Sequence, residues 1–404
     1  MTGLLGAHGR PLKILQVHNR YRRPGGEDTV LANEARLLRE HGHQVDLLEA
    51  RNGDADPVSL GARLRLARDI VWSPVGTAAM AAALDRFKPD VVHVHNTFNQ
   101  LSPAIVRTAA ARRVPVVQTL HNFRLACANG LLLRNGRPCE LCLDQGRLSA
   151  VKHRCYRDSA AGSAVVSLSG GLHLGLGTFA LPGVRVIALT EFARGLFLRA
   201  GLPARVLRVK PNFVYPAPPQ PAQALRDQRV VFVGRLAAEK GVDLLLDAWR
   251  QLALPGWTLE LVGDGELVPA AALMGDSVKC LGWLSPAEVI ARVGSARFLV
   301  MASRWYETFG MVLVEAFSAA TPVIAPRLGA MGELVESGVS GFSFEPGDAA
   351  SLAATLRVAA SLPAPAWQAL SDGALHAFEA RFSPLVNYAQ MMAIYHEAID
   401  ELAP

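Results

Sequence analysis

Residues 307–315, Glu-Thr-Phe-Gly-Met-Val-Leu-Val-Glu, carry two carboxylates separated by seven residues, and their flanks say how they are held. Upstream, the apolar run 298–302 has the length and composition of a buried strand, followed by a polar turn containing Trp305 and Tyr306. Downstream, residues 309–320 read as a helix stopped at Thr321-Pro322, because the residue before a proline is steered out of the α region. Glu307 therefore falls at a strand's carboxyl end, just ahead of a helix, with Glu315 about two turns inside it. In open α/β sheets ligands bind at such ends, where unpaired backbone N–H groups favour anionic or hydroxyl-rich groups. Two glutamates on an ordinary solvated helix would show the same spacing, so the surrounding half-chain has to separate the two readings.

That half-chain alternates strands and helices. Residues 230–235 form a short apolar strand ending in Gly234-Arg235, and a helix follows at 242–252. A second strand ends in the turn Gly263-Asp264-Gly265, and a third spans 278–283. Such alternation implies a parallel sheet with its loops gathered at the strand ends. Arg235 and Lys240 leave one of these loops together, a fork-shaped and a point cation both suited to a pyrophosphate. In order, Gly234-Arg235, Glu239-Lys240-Gly241, Val262-Gly-Asp-Gly-Glu266, Glu307 to Glu315, Pro322-Val-Ile-Ala-Pro326, Gly332-Glu-Leu-Val335 and 338–346 cover about two fifths of the chain. This order resembles the donor-binding half of family 4 glycosyltransferases.

The resemblance implies the α/β GT-B fold, two facing Rossmann-like domains with a parallel sheet each and a cleft between them. It implies transfer of a sugar from a nucleotide-diphosphate-sugar to a hydroxyl acceptor, with retention and with no metal cofactor in the chemistry. Arg235 and Lys240 would neutralise the pyrophosphate, and Glu315 would accept hydrogen bonds from the ribose. Glu307 and the N–H groups of Phe309, Gly310, Met311 and Val312 would hold the sugar, with Gly263 and Gly265 lining the donor site. Two rivals remain. A GT-B sugar-nucleotide epimerase would form product without an acceptor, and a nucleotide-sugar sensor would bind without turnover.

The first half reads as a second α/β domain. A strand at 12–17 leads through a polar loop, 18–24, to Gly25-Gly26-Glu27-Asp28 and a helix through Leu38. Two glycines at a helix start let backbone approach a phosphate or sugar closely; in the resemblance this loop lines the donor. Further strands at 90–96 and 114–122 end in His95-Asn96 and His121-Asn122. His121 matches the family's strand-end histidine near the transferred sugar, although Asn122 stands where many relatives have aspartate.

Half of the 404 residues are hydrophobic, enough for two cores. The expected division is an N-terminal domain at 1–212 with a cysteine-rich insertion at about 123–158, and a nucleotide-sugar domain at 225–382. A final helix, 383–404, carries an apolar face that suits crossing back to the first domain or packing on its own half. The proline-rich segment 215–224 reads as the linker. The apolar stretch 160–184, interrupted by serines, His173 and six glycines, reads as a buried helix pair and not a membrane span. Residues 1–12 lack a charged segment followed by an apolar one, so a cytoplasmic location is expected.

Charge divides where the linker does. Residues 1–210 hold 29 Lys+Arg against 15 Asp+Glu, and the remainder 12 against 20, summing to the net +6. The basic half suits an anionic membrane surface or an acidic acceptor, such as a glycan or lipid-linked saccharide. No nucleic-acid-binding motif accompanies the arginines. Residues 59–71 place Leu60, Leu64, Ala67 and Val71 on one helical face beside Arg63, Arg65 and Arg68, a pattern shared by membrane-surface helices and solvated core helices.

Four of the five cysteines, Cys127, Cys139, Cys142 and Cys155, fall within 29 residues. In a cytosolic chain such clustering favours a structural Zn site over disulfides, with an iron–sulfur cluster or four plain thiols as alternatives. The segment from His121 to Cys142 resembles a cysteine-bearing bacterial subgroup of the family from surface-polysaccharide biosynthesis.

Overall fold

The computed structural model describes residues 10–21, 25–52, 59–218, 226–252 and 254–403. From residue 219 onward the expected linker lies outside them, as do the first nine residues. Two compact units are present. One comprises Met1–Leu132, Cys139–Asn212 and Asn387–Pro404, the other Leu133–Pro138 and Phe213–Val386.

The strands of the first half are β1 Lys13–Arg20, β2 Gln44–Arg51, β3 Val91–Asn96, β4 Val116–Thr119, β5 Leu133–Arg134, β6 Arg137–Pro138, β7 Val184–Ala188 and β8 Leu207–Val209. Those of the second are β9 Asp227–Val233, β10 Thr258–Val262, β11 Val278–Gly282, β12 Ala296–Val300, β13 Val323–Pro326 and β14 Gly341–Phe344. Among the described residues twelve of these strands form two six-stranded parallel sheets, ordered β2-β1-β3-β4-β7-β8 and β11-β10-β9-β12-β13-β14, and β5 and β6 pair as an antiparallel hairpin. Helices cover both faces of such sheets, so β3, β4 and β7 are buried along their whole lengths. The order of each sheet reverses once, between β1 and β3 and between β9 and β12. At a reversal the flanking crossovers leave to opposite faces, and the loops beyond the strands' carboxyl ends part to form a crevice. The topology alone thus points to the loops after β1, β3, β9 and β12.

Local chemistry moves several expected boundaries. β1 continues three residues past Val17, because β2 pairs with it over eight rungs and gives His18, Asn19 and Arg20 a ladder. The helix expected at 309–320 is Met311–Ser318. Gly310, at φ +90°, makes the preceding turn, so Glu315 lies only about one turn inside, and Ala320 closes the end at φ +53°. The stretch 160–184 is a single helix, Ala160–Gly175, then a short 3₁₀ turn, Thr178–Ala180, and β7; it is not a helix pair. By length and composition Ala160–Ala180 passes for a membrane span, and with 39% of its most apolar window buried it is less enclosed than the buried segment expected. It is docked by polar contacts: Ser169 Oγ donates to the Ile70 carbonyl and His173 Nε2 to that of Val71, each at 2.8 Å.

The helix Pro384–Asp400 contributes Asn387, Tyr388, Met391 and Tyr395 to buried positions. Its residues from Asn387 belong to the first unit, where Tyr388 meets His43 Nε2 at 2.8 Å and Arg185 pairs with Glu397 at 2.9 Å.

Candidate active site

At the reversal of the second sheet, the loops after β9 and β12 are tied by one carboxylate oxygen. Glu307 Oε1 accepts from Lys240 Nζ at 2.6 Å, Ser303 Oγ at 2.7 Å and Trp305 Nε1 at 2.9 Å. Lys240 Nζ also lies 5.1 Å over the Trp305 ring, a cation–π contact that fixes the ammonium. Glu307 is 8% exposed. Burial alone would raise its carboxyl, but the charge of Lys240 and the hydrogen bonds from Lys240, Ser303 and Trp305 hold it below its ordinary range. Lys240 and Glu307, assigned by sequence to pyrophosphate and sugar, are therefore one unit. Arg235 leaves the same loop with its side chain 61% exposed, paired with Glu239.

Glu315 has the opposite environment. Among the described residues no ion pair reaches it, and burial raises its carboxyl. Gly310 directly precedes the helix Met311–Ser318, whose first N–H groups have no intrahelical partner. Phe309 is 2% exposed and packs on Phe382, so its ring braces this turn. The glycines of the Gly-Asp-Gly turn serve a backbone purpose: a Cβ on Gly263 would lie 2.0 Å from the Gly234 carbonyl oxygen, and one on Gly265 2.4 Å from that of Leu236. The loops after β9 and β10 touch there, joined by hydrogen bonds from Leu236 N to Asp264 O and from Gly234 N to Val262 O.

In the first unit, Gly25 and Gly26 begin the helix Gly26–Glu40, but the Gly25 N–H already donates to Asp28 Oδ2 at 2.8 Å. A Cβ on Gly25 would meet nothing within 4 Å. Beside it Glu27, which sequence reasoning passed over, is raised to about 8 by burial and then by the charge of Asp28. Asn96 Nδ2, at the end of β3, donates to Glu27 at 3.2 Å and to the Asn19 carbonyl at 2.6 Å. A pocket follows these strand ends, lined by His95, Asn96, Phe98, His121, Asn122 and Arg124 among others. His121 Nε2 lies 3.1 Å from His95 Nδ1, with the rings stacked at 5.3 Å. Burial first, then neighbouring His95, keeps His121 well below its ordinary range, so it is neutral near pH 7. Asn122 uses its side chain to hold the turn, accepting from Arg124 N at 3.1 Å.

The cysteine segment includes a hairpin, β5–β6, closed by Asn135-Gly136 with both residues at positive φ. None of its four cysteines is joined in a disulfide, with Cys127 buried and the others half-buried. A hydrogen bond from Cys142 draws Cys127 down to about 6 and pushes Cys142 up. Cys139 and Cys155 also act on Cys142 electrostatically. Among the described residues, however, the group of ligating atoms within 4.8 Å of one another is Glu34, His93 and His95, not the thiols. The chain also carries an Asp-x-Asp, Asp54-Ala-Asp56, in a segment outside the described residues, so the expectation of metal-free chemistry rests on the resemblance alone.

Comparison with known proteins agrees with this architecture. A family model for a glycosyl transferase 4-like domain matches residues 25–176, and one for glycosyl transferases group 1 matches residues 227–361. The chain is 30% identical over 293 residues to a glycogen synthase of Mycobacterium tuberculosis, covering 69% of this chain and 62% of that protein. It thus spans about three fifths of that relative's length. It is 27% identical over 410 residues to D-inositol 3-phosphate glycosyltransferase 1 of Catenulispora acidiphila, covering 93% and 91%. The crystal structure of Anabaena HepE with UDP and glucose superposes at a TM-score of 0.64 and 18% identity, covering 96% of this chain and all of that one. The two matched domains and the two doubly wound sheets make this chain a member of the family 4 glycosyltransferases, with the GT-B fold.

Proposed function

We propose that the chain transfers a sugar from a nucleotide-diphosphate-sugar to a hydroxyl of a glycan or lipid-linked saccharide, with retention at the anomeric carbon. The observation that carries this reading is the Lys240–Glu307 unit, a half-buried cation oriented by a buried carboxylate that lies just ahead of the helix Met311–Ser318. Lys240 and Arg235 stabilise the departing diphosphate, where preorganised charge is worth most. Glu307 presents Lys240 and receives sugar hydroxyls. Glu315, which no ion pair reaches among the described residues, accepts from the ribose. His121, neutral and at the end of β4, serves the transferred sugar. No divalent ion takes part.

Nucleoside diphosphate release over a panel of nucleotide-sugars tests the proposal, starting with UDP-glucose because UDP and glucose accompany HepE. Release that depends on added acceptor, with the anomeric configuration kept in the product, supports it. Conversion of the donor without acceptor would favour an epimerase, and tight binding without turnover a sensor. The acceptor side is proposed to work at the cytoplasmic face of an anionic membrane. The four cysteines are proposed as a structural zinc site apart from the chemistry, which requires Cys139 and Cys155 to close on the Cys127–Cys142 pair. Metal analysis of protein purified without chelator decides this; four freely titrating thiols and no zinc would end the idea.

A further inference from the structure

Glu34 and Lys210 are both fully buried, and an ion pair that deep is a poor way to gain stability. What surrounds the pair gives it another use. Lys210 Nζ donates to Glu34 Oε1 at 2.9 Å and to Asn387 Oδ1 at 3.0 Å. The other carboxylate oxygen, Oε2, lies 3.4 Å from His93 Nδ1 and 3.5 Å from His95 Nε2. This clustering would also suit a metal ion, but the Lys210 ammonium already supplies the cation and the Tyr395 hydroxyl occupies His93 Nδ1 at 2.7 Å. His93 is spent structurally, since Thr119 Oγ1 meets its Nε2 at 2.8 Å. His95 is not: among the described residues its Nε2 makes no hydrogen bond and faces Glu34 Oε2, itself without a hydrogen-bond partner, at 3.5 Å, while its Nδ1 reaches His121 Nε2.

We propose that the Glu34–Lys210 pair acts through His95 to fix which ring nitrogen of His121 carries the proton. Lys210 keeps Glu34 ionised, and the carboxylate holds the His95 proton on Nε2. His95 Nδ1 is then the acceptor for His121 Nε2–H, and Nδ1 of His121 becomes its acceptor nitrogen. The opposite arrangement would set a lone pair of His95 against a carboxylate oxygen in surroundings without water, leaving both unsatisfied. Among the described residues, the charged and titratable groups that act on the rings are Glu34, Lys210, His18 and His93, with His95 also acting on His121. Burial outweighs them all and keeps both His95 and His121 neutral, so the choice is between tautomers and not between charges. Glu34, Lys210 and His95 are positioning residues, and their kinetic effect rests on the reading that His121 serves the transferred sugar.

The test uses the full chain with its histidine rings labelled with ¹⁵N. Long-range ring correlations at neutral pH should show His121 protonated on Nε2; protonation on Nδ1 overturns the proposal. In Glu34→Gln the amide N–H₂ faces His95 Nε2 and makes it an acceptor, so both rings should flip and His121 should carry its proton on Nδ1. Turnover should then fall about 100-fold, with KM changed by less than about threefold. Because Glu34→Gln strands the Lys210 ammonium, the double variant Glu34→Gln/Lys210→Met provides a second protein, without the buried charge, that should show the same flip. A His121 that keeps its Nε2 proton in both variants also overturns the relay. A flipped ring with unchanged turnover keeps the relay and removes His121 from the reaction.

Discussion

Lys240 has its charge held in place by buried Glu307, whereas Arg235, its side chain 61% exposed, pairs with Glu239 at the surface. Preorganisation therefore separates two cations that sequence reading treated alike. Lys240→Ala should lower kcat by on the order of 10²–10³, about 3–4 kcal/mol of transition-state stabilisation, while Arg235→Ala should cost several-fold less. Steady-state kinetics on one donor measures both, and equal losses would show that Arg235 becomes just as fixed once donor binds. Glu27, in the first unit, gives a pH prediction. Its folded value, about 8, stands above the ordinary 4.5, so between those values the unfolded chain gives up a proton that the folded one keeps. Stability from this group is whole below pH 4.5 and is lost as pH rises to about 8, with a slope of at most about 1.4 kcal/mol per pH unit. Denaturant midpoints from pH 5 to 8 should flatten in Glu27→Gln by comparison with the unmodified protein; parallel curves would mean Glu27 is ionised in the fold. The site residues that sequence could show, His121, Lys240, Glu307 and Glu315, lie inside short strand-end motifs. Glu34, Lys210 and Tyr395 could not be read that way, because their partners lie 176 and 302 residues distant. A buried charge also leaves no periodic trace in sequence.

Elements were legible in kind and blurred at their ends. Alternating apolar runs announced both parallel sheets, yet the pairing of β1 with β2 and the positive φ of Gly310 set the actual limits. Glycine was legible as a motif but not as a reason. Gly241 and Gly263 are required by backbone: a Cβ on Gly241, at φ +70°, would sit 1.9 Å from the Ala302 carbonyl oxygen. Gly241→Ala and Gly263→Ala should each destabilise by roughly 2–4 kcal/mol, seen in denaturant melts, with or without donor. Gly25 is the contrasting case, with extended backbone and open space where a Cβ would go. Gly25→Ala should leave the melting temperature unchanged and raise the donor KM, provided a phosphate or sugar packs on that backbone. An unaltered KM would remove Gly25 from the donor site and leave Asp28 as the purpose of that helix start.

On the scale of the whole molecule, net charge is unevenly shared, and the excess of arginine lies in the first 210 residues. The helix Leu60–Val71 shows how part of it is presented. Ile70 is its buried residue and Leu66 packs with it, so the side facing protein is not the one carrying Leu60 and Leu64. Those two leucines are 73% and 62% exposed, flanked by exposed Arg63, Arg65 and Arg68. An apolar pair among cations in water costs free energy that a membrane surface would recover, through burial of the leucines and attraction to anionic headgroups. Each basic residue contributes about 1 kcal/mol at low salt, and this part fades as ionic strength rises. The two contributions can therefore be separated. In flotation with phosphatidylserine-containing vesicles, the unmodified chain should float at low salt and partly sink at high salt. Replacing Arg63 and Arg65 with Gln should weaken flotation chiefly at low salt, and replacing Leu60 and Leu64 with Ser should weaken it at both. Failure of the unmodified chain to float at low salt would direct the search toward a soluble acceptor, with the arginines left to recognise its acidic groups.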